Sequence, residues 1–194
     1  MDKQNDIERH PFKPFIPDNA KLIMLGSFPP APKRWKMHFF YPNFTNDMWR
    51  IFGIVFFNDK EHFINIEEKT YKLQDIIDFL NEKGIALYDT AEAIRRTKDT
   101  ASDKDLEIVE RTDVAAMLRT MYSCRNIITT GQKATDVITE LMKTESPKVG
   151  GFSEFTFEDR TMRLYRMPSS SRAYPLNIEK KAAYYRKMFK DILG

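Results

Sequence analysis

The sequence predicts an α/β layer fold built on a mostly parallel sheet, and three observations carry that prediction. Short apolar runs, several closed by glycine or aspartate, have the length and shape of strands buried on both faces. Between them lie stretches with apolar residues at three-four spacing, the pattern of a helix with one buried stripe. The two kinds of segment alternate, as a parallel sheet requires, because each crossover must return the chain to the edge where the next strand starts. No linker, repeat or low-complexity tract interrupts the pattern, and 194 residues fit one domain. Residues 1–194 therefore read as a single domain, with 1–19 as an extended lead-in.

The lead-in carries Pro11, Pro14 and Pro17, each of which fixes φ and removes a backbone donor. Lys21–Gly26 is the first buried strand. Leu73, Ile76, Ile77 and Leu80 predict a helix that Gly84 ends. Ile85–Asp89 is the second strand. Leu106, Val109, Val114, Met117, Leu118 and Met121 predict a helix over 105–121. The third strand is Asn126–Gly131, and Val137, Ile138, Leu141 and Met142 predict a helix over 135–142 behind it. Phe152–Phe157 and Thr161–Met167 alternate around the polar turn Glu158-Asp159-Arg160, a hairpin feeding the fourth strand. A last helix over 177–193 sets Ile178, Ala182, Tyr185, Phe189 and Ile192 on one stripe, with Asn177 as its N-cap.

Composition excludes several classes. Cys124 is the single cysteine, which rules out an internal disulfide framework and a multi-cysteine zinc site, and before a strand it reads as a buried structural thiol. The first ten residues are polar and of mixed charge, so no signal peptide is expected, and no apolar run approaches the length of a membrane span. A soluble cytoplasmic protein is expected. His10, His38 and His62 lack metal-ligand spacing, so no metal is expected; only His38, beside an aromatic cluster, stays in view. No serine occupies a glycine-flanked nucleophile elbow. The net charge of +3 decides nothing alone, since its distribution matters more.

In open parallel sheets ligands collect beyond the carboxyl ends of the strands, which directs attention to four segments. After Gly26 come Ser27-Phe28-Pro29-Pro30, a basic loop with Lys33, Arg34 and Lys36, and an aromatic-amide cluster from Phe39 to Arg50. Aromatic faces there could stack a flat base while Asn amides read its edge; the same residues could equally pack a core, with the asparagines making turns. After Asp89, Arg95, Arg96 and Lys98 could meet phosphate or stay solvated, and Thr100, Ser102 and Asp103 read as helix caps. After Thr130, Gly131 opens a helix whose free N–H groups favour an anion, without the pattern of a nucleotide phosphate loop. After Met167, Ser169, Ser170, Ser171 and Arg172 suit phosphate contacts or a plain polar turn.

Taken in order, Gly26-Ser27-Phe28-Pro29-Pro30, Tyr41–Trp49, Gly84–Asp89, Gly131–Ala134 and Met167–Ser171 resemble the motifs of the uracil-DNA glycosylase superfamily. The mismatch-specific (thymine/uracil) and hypoxanthine-DNA glycosylase branches are the most similar. Each motif is short, but five in order from Lys21 to the last helix are far more specific than any one. The resemblance implies a three-layer α/β/α domain with a central four-stranded, mostly parallel sheet. It implies an enzyme that flips a damaged base out of DNA and hydrolyses its N-glycosidic bond without a cofactor. The expected partner is DNA with a damaged or mismatched base, and a monomer is expected.

By the same resemblance Tyr41 stacks on the flipped base, and Gly26, Ser27 and Phe28 form the pocket floor beside Asn43. Asn46 and Ser27 are the expected catalytic residues, Asn46 by orienting the attacking water. Lys33, Arg34, Gly131, Lys133, Ser169, Ser170, Ser171 and Arg172 are expected to hold DNA, on one basic face shared with Lys36, Arg95, Arg96 and Lys98. Two positions depart from the family pattern. Phe28 stands where many relatives carry the water-positioning Asp or Asn, and the serine run replaces the His of the most active uracil enzymes. Both argue against rapid uracil excision. They leave open a hypoxanthine-type enzyme, a slow broad glycosylase, or a protein that binds a base without cleaving.

Overall fold

The computed structural model describes residues 6–100 and 102–194; the first five residues of the expected lead-in lie outside the described residues. In chain order the elements are β1 (Ile7–Arg9), β2 (Leu22–Gly26), α1 (Met48–Phe57), β3 (Ile64–Asn65), β4 (Thr70–Tyr71), α2 (Leu73–Lys83), β5 (Ile85–Asp89) and β6 (Ala91–Arg96). There follow β7 (Leu106–Arg111), α3 (Val114–Thr120), β8 (Asn126–Thr130), α4 (Gln132–Met142), β9 (Phe152–Phe157), β10 (Arg160–Met167) and α5 (Ile178–Leu193).

The central sheet runs β5-β2-β8-β10-β9. Its first four strands are mutually parallel, and β9 pairs antiparallel with β10. The sheet thus has five strands and not four, because the outer arm of the 152–167 hairpin stays hydrogen-bonded to β10 and extends the sheet. Every residue of β2 and β5 is buried, as continuous apolar runs require when both faces are covered. Although β5 ends the sheet, its open edge is not bare. Phe15 of the lead-in exchanges backbone hydrogen bonds with Leu87 at 3.0 and 2.9 Å, which blocks further strand addition there.

Helix ends follow the signals in the sequence. Gly84, at φ 70°, closes α2, where a Cβ would come within 2.5 Å of the Asn19 carbonyl oxygen. The Asn177 side chain caps α5 by accepting from the Lys180 N–H. Trp49 and Phe52 of α1 are fully buried, and the Phe52 and Phe189 rings meet at 5.3 Å to join α1 to α5.

The helix expected over 105–121 is a correction. Residues 106–111 form β7, and only Val114–Thr120 is helical, capped by the Asp113 carboxylate on the Ala116 N–H. Leu106 and Ile108 alternate rather than follow a helical period, and they pack with Phe28, Ala91 and Ile94 in a small separate core. β7 lies in a three-stranded antiparallel sheet, β1-β6-β7, whose other two strands come from the expected lead-in and from the segment after the second buried strand. That second sheet carries His10 and Asp103 to the carboxyl edge of the first.

Candidate active-site cleft

The parallel register sets Gly26 opposite Asp89, and Thr130 opposite Met167, so four strand ends finish side by side. A cleft of about 1050 Å³ opens over them. It is lined by Gly26, Ser27, Phe28, Arg34, Tyr41, Asn43, Asn46, Gly131, Lys133, Ser169, Ser170, Ser171 and Arg172, so these candidate residues converge on one cavity. Lys33 does not line it; its ammonium pairs with Asp99 on the outer surface.

Tyr41 adopts φ 53°, a left-handed conformation that a bulky residue holds only when its surroundings impose it. Its ring meets Trp49 edge-on at 6.0 Å, and its hydroxyl lies 3.4 Å from Thr130 Oγ1. Burial, and then the nearby Asp89 charge, push the phenol well above its ordinary pKa, so it stays a neutral donor. Asn46 Oδ1 accepts from the Met48 N–H at 3.0 Å, which fixes the amide plane at the start of α1. Asn43 is tied more locally: Oδ1 accepts from both the N–H and the hydroxyl of Thr45, a turn that shapes the cleft wall.

The serine loop is clamped from both sides. Ser170 is buried and its carbonyl accepts from the Asp47 N–H at 3.0 Å, while Ser169 Oγ and Ser171 Oγ accept from backbone N–H groups two residues on. Arg172 donates through Nε to Asp47 at 3.0 Å, and the buried Lys181 ammonium holds the Ser171 carbonyl at 2.6 Å. Lys133 reaches the Leu106 carbonyl, and Gly131 opens α4 at φ 99°.

Two carboxyl groups complete the cleft, half-buried Asp103 and buried Asp89. Asp103 accepts from the Ser27 hydroxyl at 3.0 Å; burial raises its pKa, and the Ser27 bond offsets only part of that rise. Asp89 accepts from His10 Nε2 at 2.9 Å, with side chains 10% and 1% exposed. Its other oxygen lies over Gly26, only 2.6 Å from where a Cβ would stand. No group of His, Cys, Asp and Glu among the described residues is arranged to hold a metal ion, and no described helix is long and apolar enough to cross a membrane.

This cleft sits in a fold already seen elsewhere. The chain superposes on the solution NMR structure titled a "putative Uracil DNA glycosylase" from Methanosarcina acetivorans, with TM-score 0.61, 21% identity, and coverage of 94% of this chain and 99% of that one. The sequence matches no protein-family model and no curated protein. At that identity the likeness establishes that this chain shares the α/β fold of that structure.

Sequence reasoning passed over the carboxyl groups and the histidine. Asp103 reads as a helix cap in a polar run, although it opens a short 3₁₀ turn before β7 and meets the Ser27 hydroxyl in the cleft. His10 stands 79 residues from its partner Asp89, and nothing local marks the pair. His38, by contrast, is exposed, edge-on to Phe12 and Trp35. The basic face is also less uniform than expected. Arg95 pairs with Glu107 and Arg96 with Glu8, while Lys36 and Lys98 do not line the cleft. Lys104 and Arg166, which were not singled out, do line it.

Proposed function

We propose that the protein is a DNA glycosylase that hydrolyses the N-glycosidic bond of a deaminated base, uracil or hypoxanthine, flipped out of DNA. The observation that carries this reading is the convergence of Tyr41, Asn46 and the Ser27–Asp103 pair in one cleft beside the Ser169–Arg172 loop. Extruding a base costs a few kcal/mol and least at a damaged or mispaired site, while stacking on an aromatic face returns about 1–3 kcal/mol. Tyr41 would supply that face. Asn46, its amide plane fixed by Met48, would hold the attacking water. Asp103, whose raised proton affinity suits a base working near neutrality, would take the water's proton through or beside Ser27. The new bond joins the water oxygen to the sugar C1′, and the electron pair of the broken C–N bond leaves with the base.

The serine loop and the N–H groups at the start of α4 would contact flanking phosphates. Oligonucleotides carrying uracil, hypoxanthine, xanthine or mismatched thymine, treated with alkali after incubation, test the reading. Strand breaks are expected at uracil or hypoxanthine, with loss of about a hundredfold or more in Asn46→Ala, since one preorganised donor is commonly worth that much. Undiminished excision by Asn46→Ala would remove that assignment. Salt-sensitive binding without breaks would mark a base-binding protein that does not cleave.

A further inference from the structure

A second cavity, of about 350 Å³, adjoins the cleft and shares Arg172 with it. Four stretches of chain bring charge to it: Asp47 and Arg50 at the start of α1, Lys60 beyond its end, Arg172 of the serine loop, and Lys181 in the first turn of α5. Among the described residues that line it, Asp47 is the single carboxylate. The Asp47 side chain does not cap α1; its Oδ1 accepts from Arg172 Nε at 3.0 Å and faces Arg50 Nη1 at 3.6 Å. Lys181 is only 1% exposed, and the charge of the same Asp47 acts on it. One negative charge is thus divided among three cations, with the exposed Lys60 as a fourth at the rim.

Backbone carbonyls meet some of the donors. Lys181 donates to the Ser171 carbonyl at 2.6 Å, and Arg50 Nη1 to those of Phe44 at 2.9 Å and Asn46 at 3.4 Å. A carbonyl satisfies an N–H but carries no net charge, and an ammonium has three donors where Ser171 takes one. Burial, and with it the Arg172 charge, lowers the proton affinity of Lys181 by more than Asp47 restores, the sign of a place short of negative charge. Excess charge held away from water is costly unless a counter-ion joins it. We propose that Arg50, Arg172 and Lys181, with Lys60 at the rim, form a binding site for a phosphate dianion, either inorganic phosphate or the terminal phosphate of a DNA strand. Such a group carries about −1.5 to −2 near neutral pH and three strong acceptor oxygens, which matches an excess of two positive charges; a phosphodiester brings only one negative charge. The site lies outside the base cleft and touches it through Arg172, and the inference holds whether or not the protein cleaves DNA.

The test is a calorimetric titration of the full chain with inorganic phosphate in chloride buffer, at constant ionic strength. Saturable binding at one site is expected, about tenfold or more tighter than binding of dimethyl phosphate, the diester control. Lys181→Met, which keeps the length of the side chain, should weaken phosphate about tenfold or more, since a hydrogen bond to a charged group is lost. Lys60→Ala should weaken it about threefold, as suits an exposed charge, and Lys190→Ala, at the other end of α5, should leave it unchanged. Amide NMR signals moved by phosphate should fall within residues 47–50 and 171–181. Short undamaged oligonucleotides with and without a terminal phosphate separate the two sources. Tighter binding of the phosphorylated strand, lost in Lys181→Met, assigns the site to strand ends, and equal binding of both strands assigns it to the free anion.

Absence of saturable phosphate binding by wild-type protein would overturn the inference, as would dimethyl phosphate binding equally well. Affinity unmoved by Lys181→Met, or amide signals moved only elsewhere in the chain, would do the same. Should Lys181→Met fail to fold, Lys60→Ala decides, because its exposed side chain can be shortened without touching the core; phosphate affinity unchanged there would overturn the site.

Discussion

A methyl group at position 26 would come within 2.6 Å of Asp89 Oδ1, closer than any real contact, so the Asp89 carboxylate must move in Gly26→Ala. Overpacking of this kind costs about 1–3 kcal/mol, and the expected outcome is a melting temperature lower by a few degrees. If the cleft is the site of excision, activity should fall by about tenfold or more, because a carboxylate that lines the cleft is displaced. A calorimetric scan alongside single-turnover kinetics checks both. Asp103 gives a second prediction at this scale. Burial holds its folded pKa above the unfolded value, so the native state keeps its proton to higher pH than the unfolded chain does. Its contribution to stability is full below the unfolded pKa and is lost as pH rises through the raised folded value. Asp103→Asn, which still accepts from Ser27, should therefore gain in melting temperature relative to wild type as pH rises from acid to neutral. A difference that does not change with pH would show that the carboxyl is not perturbed.

At the scale of elements, the serine loop depends on neighbours more than on its own turns. Lys181 of α5 is buried, its ammonium bound to the Ser171 carbonyl, and burial lowers its pKa. Lys181→Met keeps the length of the side chain and removes the donor. The expected effect is faster amide hydrogen exchange across residues 170–174 with little change in global stability, because removing a buried charge offsets the lost bond. The strands show how the two kinds of pattern were read. Continuous apolar runs mark β2, β5 and β8 without ambiguity, whereas β7 is mostly exposed, and its Leu106 and Val109 fit a helical spacing that is genuine only from Val114. A half-exposed strand of six residues offers only two or three inward positions, too few to separate a period of two from one of 3.6.

At the scale of the molecule, a net charge of +3 disguises an uneven surface around the cleft. Arg34, Arg96, Lys104, Arg111, Lys133, Arg166 and Arg172 line it, against Asp89, Asp103, Asp136 and Glu140. If DNA lies over this cleft, affinity falls with salt, and the log–log slope changes by about 0.9 for each phosphate contact. Arg34→Ala combined with Lys104→Ala should shallow that slope by about 2, measured by fluorescence anisotropy over a salt series. An unchanged slope would put the DNA elsewhere on the surface.

The sequence by itself determined the alternating α/β plan, the parallel strands and most helix ends, because hydrophobic period and terminal residues such as Gly84 and Asn177 act within a few positions of themselves. It also marked the loops at the strand ends, since a parallel sheet always finishes its strands on one side. Only the tertiary structure decided which polar groups meet there. Ser27 and Asp103 are 76 residues apart, and His10 and Asp89 are 79 apart. Periodicity says which face of a segment is buried but not what covers it, so pairs joined across two different sheets leave no local trace. The β1-β6-β7 sheet was hidden for the same reason, because it exists through its hydrogen-bonded neighbours, whereas the Phe152–Phe157 arm that becomes the fifth strand of the central sheet was legible as half of a hairpin.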